Sequence, residues 1–233
     1  MRSLTKILFA VLFLAGTNSA FADTQDRRLT GFHAISLSAS FDLYITQGGS
    51  ESVKVEAPGD LMDKIITEVD GDVLKIRTKN STFNWGNMFS NKRIVIHVSV
   101  KDIRSIGISG SGDVFFKDGI RADKLEIHVS GSGDVAGKVA AKTLQVSVTG
   151  SGDISLSGSA ENSTVGMSGS GDFSGRNLVT AISTVRVSGS GDVTVNATQR
   201  LDARISGSGD IRYTGGASQV STSSSGSGDI HKF

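Results

Sequence analysis

The chain of 233 residues contains no cysteine. That excludes disulfides and thiolate metal sites, so apolar packing and backbone hydrogen bonding must hold the fold. It has no excess of one charge either, with 24 basic residues against 23 acidic ones. Loss of a leader over residues 1–22, which carries Arg2 and Lys6 and no acid, would leave 22 against 23, a net charge of −1. Such a balance gives no drive toward nucleic acid or an anionic membrane, and neither is an expected partner. Long apolar runs are missing too. Ile7–Ala15 is nine residues long, whereas crossing a bilayer takes about 20.

That short run nevertheless has a role. Arg2 and Lys6 precede it, and Ala20-Phe21-Ala22 follows it with the small-x-small pattern of a signal-peptide cleavage site. The expectation is an exported protein, periplasmic or extracellular, whose mature chain starts at Asp23 and has no membrane segment. "LFLAGT" resembles a lipoprotein box, but Thr17 stands where the lipidated cysteine would be. No lipid anchor is expected.

What the sequence has in abundance is one phrase. "SGSGD" at 109–113 returns in near-copies ending at Asp134, Asp153, Asp172, Asp192, Asp210 and Asp229, spaced 21, 19, 19, 20, 18 and 19 residues apart. A period of about 19 with small slips marks a repeated structural unit joined by variable turns. Residues alternate apolar and polar on both sides of each phrase, as in "LEIHV" before and "DVTV" after, which is the strand signal. Each unit reads as strand, glycine corner, strand and looser turn. One such unit cannot bury its apolar face alone, but stacking units at ~4.8 Å builds a continuous core. The predicted fold is therefore all-β, a single-domain parallel β-helix. A propeller blade needs roughly 40 residues, and a leucine-rich repeat needs a leucine pattern absent here.

Residues 23–105 lack the phrase but still alternate, in "ISLSASFDLYIT", "SVKVEA", "DVLKIRT" and "RIVIHVSV". They are expected to form irregular N-terminal coils continuous with the repeat coils of 106–233, with one short helix after Asp60, which would cap it. Tyr44, inside the first of these strands, is expected in the core. The last coil, ending in "STSSSGSGDIHKF", has little to cover it, which suggests self-association there.

The repeated aspartates, Asp113, Asp134, Asp153, Asp172, Asp192, Asp210 and Asp229, admit three chemistries. A phosphate cradle fails, because no helix follows the glycines and a carboxylate would repel the phosphate. A calcium ladder would need six to eight oxygens per ion, poorly supplied by one aspartate per coil. Corner capping remains the preferred reading, since a charge-assisted hydrogen bond of roughly 1.5–3 kcal/mol outweighs about 1 kcal/mol of repulsion between stacked carboxylates in water. No metal and no cofactor is expected.

Other candidate chemistry is sparse. His33, His97, His128 and His231 lack metalloprotease spacing and are expected on solvated strand faces, and no G-x-S-x-G elbow occurs. Asp123 with Arg121 and Asp202 with Arg204 are the pairs from which a lyase site could be built, but charges two apart on a strand are ordinary surface features. "NSTFNWGNMFSNK", residues 80–92, breaks the strand pattern and holds the single tryptophan. Phe83, Trp85 and Phe89 either plug the first coil or form an exposed platform for sugar or protein.

In its order of motifs, "GFHAISLSASFDLYITQGG", "SVKVEAP", "DVLKIRT" and then "ISGSGDV", the chain resembles the head GIN domain of putative auto-transporter adhesins over roughly residues 29–230. The resemblance implies a right-handed β-helix in an exported bacterial protein and brings no catalytic residue with it. The expected function is a non-enzymatic binding or adhesion module of the bacterial envelope or surface, with a glycan or cell-surface protein as partner. An envelope structural protein self-associating through its terminal coil, and a polysaccharide-acting enzyme, stand as alternatives.

Overall fold

The computed structural model describes residues 23–79 and 93–233. The N-terminal region supplies β1 (Asp23–Arg27), β2 (Ala34–Ser38), β3 (Asp42–Gln47), β4 (Ser52–Ala57), a single helical turn α1 (Gly59–Met62), β5 (Ile65–Asp70), β6 (Val73–Thr78), β7 (Val95–Val100) and β8 (Ser105–Gly110). Five long strands follow: β9 (Val114–Gly131), β10 (Val135–Gly150), β11 (Ile154–Gly169), β12 (Phe173–Gly189) and β13 (Val193–Gly207). The chain closes with β14 (Ile211–Thr214), β15 (Gln219–Gly226) and β16 (Ile230–Lys232). Together they form a β-solenoid of about seven turns with coils of about 19 residues.

Alternation in sequence becomes columns in space. From β8 through β13 every neighbouring pair is parallel, and the stretches flanking each corner stay in register. Ile108, Val129, Val148, Met167, Val187 and Ile205 therefore lie one above another, all buried. A second inward column runs Val114, Val135, Ile154, Phe173, Val193 and Ile211. Two serines interrupt the apolar interior, Ser163 and Ser183. They are register partners on β11 and β12, and the Ser163 hydroxyl donates to that of Ser183 at 3.0 Å, so neither is left unpaired in the core.

In the last coil the looser turn expected in each unit separates β14 from β15, whereas from β9 through β13 it is not a break. Strand pairing continues through it, and only local register slips mark the bend, between Gly137 and Val139 and between Ser155 and Ser157, for example. Gly119 and Gly158 take positive φ values of 96° and 108° in the same region. This is where the repeat length varies, because a bulge absorbs an extra residue without disturbing the core columns.

The N-terminal end is built differently. β4 runs antiparallel to both β1 and β7, and β5 is antiparallel to β6 across a two-residue turn in which Gly71 has φ 63°. These strands close one end of an otherwise parallel stack. Asp60 does not cap α1 as expected; Pro58 occupies the N-cap position and Asp60 lies in the first turn.

One further corner was hidden. Leu37 pairs with Ile108 and Leu43 with Val114, so Ser38-Ala39-Ser40-Phe41-Asp42 occupies the position of the first SGSGD phrase one coil earlier. It has alanine and phenylalanine where later corners have glycine, and what imposes glycine on the later corners is steric. A Cβ on Gly131 would run into the carbonyl oxygen of Gly110, and one on Gly133 into that of Gly112. Each corner glycine is thus imposed by the corner before it in the stack. Gly110 and Gly112 of the first phrase face Ala39 and Phe41 in the same way, whose carbonyl oxygens would lie 2.9 and 2.5 Å from their Cβ atoms.

Candidate functional site

The corner aspartates form a ladder of backbone contacts. The N–H of Asp134 donates to Oδ1 of Asp113 at 3.0 Å, and the same bond recurs from Asp153, Asp172, Asp192, Asp210 and Asp229 to the aspartate one coil earlier, at 2.8–3.0 Å. Beside it, Ser132 and Gly133 both donate their N–H to the carbonyl of Gly110, a pattern repeated up the stack. One carboxylate oxygen per coil is thus committed to the fold. Among the described residues no group of three or more His, Cys, Asp or Glu side chains converges as a metal site.

Phe83, Trp85 and Phe89 lie outside the described residues. The segment that carries them joins β6 to β7. Asp123 pairs with Lys142 of the next coil at 2.8 Å, whereas Asp202 sits 3.3 Å from Arg204 Nε on its own strand. His97, His128 and His231 are exposed on strands, while His33 lies in the segment before β2.

A feature that sequence reading missed lies on the outward face of the strands that follow the corners. Tyr44 is not in the core: Leu43 and Ile45 point inward, so Tyr44 faces out and is half-buried. Its register partners are His97 on β7 and Phe115 on β9. The three rings form a row, with centroids 5.4 Å apart for Tyr44–His97 and 5.1 Å for Tyr44–Phe115 and interplanar angles of 22° and 27°. Charges frame the row. Arg93 donates to the Tyr44 hydroxyl at 3.3 Å and to Asp42 at 3.1 Å, and the Asp42 hydrogen bond raises its pKa above the ordinary arginine value. Glu56 accepts from Lys54 at 3.0 Å and approaches His97 at 3.6 Å. The Lys54 hydrogen bond is the main reason the Glu56 carboxyl stays below its ordinary range.

The row stops abruptly. Phe115 is followed in its column by Ala136, Ser155 and Ser174. Replacing rings by a methyl and two hydroxymethyls opens a cleft of about 360 Å³ lined by Ala136, Ser155, Ser174, Lys117, Lys138 and Asn177. Lys117 spans the junction, its ammonium 6.0 Å from the centre of the Phe115 ring. An aromatic stack that ends against a shelf of hydroxyl, amide and ammonium donors suits a flat, hydroxyl-rich ring.

Residues 31–217 match the model of the family described as putative auto-transporter adhesin, head GIN domain. The chain belongs to this family. Several solved structures share its fold. A crystal structure of a putative adhesin from Bacteroides fragilis NCTC 9343 superposes with a TM-score of 0.84 at 27% identity, over 91% of this chain and 96% of that one. A putative lipid binding protein from Parabacteroides distasonis ATCC 8503 gives 0.71 at 25% identity, over 92% and 98% of the two chains. A putative adhesin from Parabacteroides merdae ATCC 43184, 18% identical, gives 0.71 over 92% and 97% and speaks to the fold alone. No curated protein matches the chain in sequence. Among the described residues no helix is long and apolar enough to cross a membrane.

Proposed function

We propose that this head GIN protein is an exported, non-enzymatic adhesion module that holds a saccharide against the end of the His97–Tyr44–Phe115 row. The observation that carries the reading is the row itself. Three rings contributed by strands far apart in sequence stack in register on an outward face, then give way to a cleft of small polar side chains. A sugar placed beyond Phe115 would continue the stack with its apolar C–H face, while Ser155, Ser174 and Asn177 offer hydrogen bonds to its hydroxyls. The leader-like segment before Asp23 and the adhesin-like family support export. A parallel solenoid suits adhesion because it presents residues on a rigid face at fixed spacing.

The test is a glycan array probed with the protein lacking residues 1–22, followed by titration of the best ligand against Tyr44→Ala and Phe115→Ser. Both variants are expected to lose binding by about tenfold or more, with cross-strand ring contacts worth only about 0.5–1.5 kcal/mol of stability each. Unchanged affinity in both variants overturns the reading. Release of reducing ends from a bound polysaccharide would establish an enzyme instead, and concentration-dependent sedimentation would support self-association.

A further inference from the structure

The strands that precede the corners carry an outward face of different chemistry. One column of this face runs Gly107, His128, Ser147, Gly166, Arg186, Arg204 and Ser223, each the register partner of the next. Beside it Ser130, Thr149, Ser168, Ser188, Ser206 and Ser225 form an unbroken hydroxyl column. Within this face lies a cleft of about 490 Å³, lined by Gly166, Arg186 and Arg204 together with serines of both columns.

Two independent observations mark this cleft. The first is the arginine pair. Arg186 and Arg204 occupy adjacent coils, about 4.8 Å apart along the stack. Like charges so placed repel, and an exposed arginine usually relieves this with a carboxylate. Arg204 has one, since its Nε lies 3.3 Å from Oδ1 of Asp202, a contact by distance although not a well-aligned hydrogen bond. The Arg186 side chain has no ion pair or hydrogen bond among the described residues. The pair therefore keeps a net positive charge in a chain that is otherwise close to neutral. The second observation is Gly166. A Cβ there would meet nothing nearer than the carbonyl oxygen of Val146 at 3.9 Å, and no positive φ demands glycine. The corner glycines are dictated by the backbone stacked beneath them, but Gly166 is not. Its effect is to leave a gap next to Arg186, between it and Ser147.

We infer that this cleft binds the oxoanion of an acidic saccharide, a sulfate or carboxylate held by Arg186 and Arg204, with sugar hydroxyls against the serine column. Two guanidiniums on neighbouring strands can grip one oxoanion from both sides with several N–H donors. Gly166 gives the depth that lets the anion sit beside them. The hydroxyl column continues along the stack in both directions, so a chain of sugars finds donors and acceptors at every coil. This face does not include the His97–Tyr44–Phe115 row, and the inference stands or falls separately from the saccharide reading of that row.

The experiment is calorimetric titration of the protein lacking residues 1–22 with a sulfated oligosaccharide, a polygalacturonate fragment, neutral dextran, inorganic sulfate and phosphatidylglycerol vesicles. Binding is expected to the first two and not to dextran, and to weaken as salt rises. Arg186→Gln and Arg204→Gln should each reduce affinity by about tenfold, as loss of charge-assisted hydrogen bonds implies. Gly166→Leu, which fills the cleft and leaves both charges in place, should reduce it comparably, an effect that simple attraction to a positive patch would not give. Arg121→Gln, on another side of the solenoid, should leave affinity unchanged. All these positions are exposed or half-buried, and unchanged melting temperatures would confirm intact folds. The inference is overturned if neither acidic saccharide binds, if Gly166→Leu has no effect, or if Arg121→Gln weakens binding as much as Arg186→Gln. Binding to the vesicles alone overturns it in favour of a membrane surface, and binding to free sulfate alone overturns the saccharide assignment.

Discussion

The backbone N–H of Asp153 donates to Oδ1 of Asp134 at 2.8 Å, and Asp153 in turn offers its own Oδ1 to the N–H of Asp172 at 2.8 Å. The five aspartates from Asp134 to Asp210 are each donor to the coil before and acceptor for the coil after. Asp153→Ala removes the acceptor for Asp172 and should cost about 1 kcal/mol, at the low end for a charge-assisted bond because water reaches this surface. Asp153→Asn keeps an acceptor and removes one of the stacked charges, so it should be neutral or slightly stabilising. Chemical denaturation of the two variants with and without calcium checks this. A melting temperature that rises strongly with calcium would replace the capping account with a metal ladder.

The corner glycines should differ sharply from their counterparts in the first corner. A Cβ on Gly152 would run into the carbonyl oxygen of Gly133 and also meet the Val129 side chain, so Gly152→Ala must push coils apart. Overpacking against backbone costs about 1–3 kcal/mol or more. Ala39→Gly, at the equivalent place in the hidden first corner, should cost no more than about 1 kcal/mol through unfolded-state entropy. Equal losses in the two variants would show that stacking does not set the glycine positions.

Acid should weaken the packing around the aromatic row through Glu56. Its carboxyl is held low chiefly by the Lys54 hydrogen bond, against an opposing push from burial, with the charges of Lys54 and His97 adding to the lowering. A folded pKa below the unfolded one, about 4.3 for glutamate, means the contribution is fully present above that value. It is lost as pH falls through the lower folded value. Glu56→Gln should therefore flatten the acid limb of a stability–pH profile, by less than about 1 kcal/mol because the pair is partly exposed. A steeper acid limb in the variant contradicts the assignment.

The Phe83, Trp85 and Phe89 segment has its own test, since Trp85 is the single tryptophan. An exposed platform gives red-shifted, quencher-accessible emission, and replacing all three residues with alanine then abolishes ligand binding at little cost in stability. Blue-shifted, protected emission rules the platform out. The same triple change would in that case cost about 3–5 kcal/mol per buried ring.

Period and parity were legible in the sequence. The 19-residue spacing of the phrase required stacked coils, and the alternation in "LEIHV" or "DVTV" required one face in and one face out, because side chains on a strand alternate by geometry. The same parity placed Tyr44 opposite Leu43 and Ile45, and a strict reading of it would have put the ring outside. What no strand could report about itself was register. Tyr44, His97 and Phe115 become neighbours only because β3 lies between β7 and β9, an order set by which strands pair across the stack. Arg186 and Arg204 look 18 residues apart in sequence yet meet on adjacent coils. The first corner escaped notice because it holds Ala39 and Phe41 at the two glycine positions, so Ser38–Asp42 keeps the place of the phrase without its spelling. Composition and local pattern determined that the chain would stack, whereas the contacts between coils decided which side chains stand together, since those contacts join residues that alternation leaves independent.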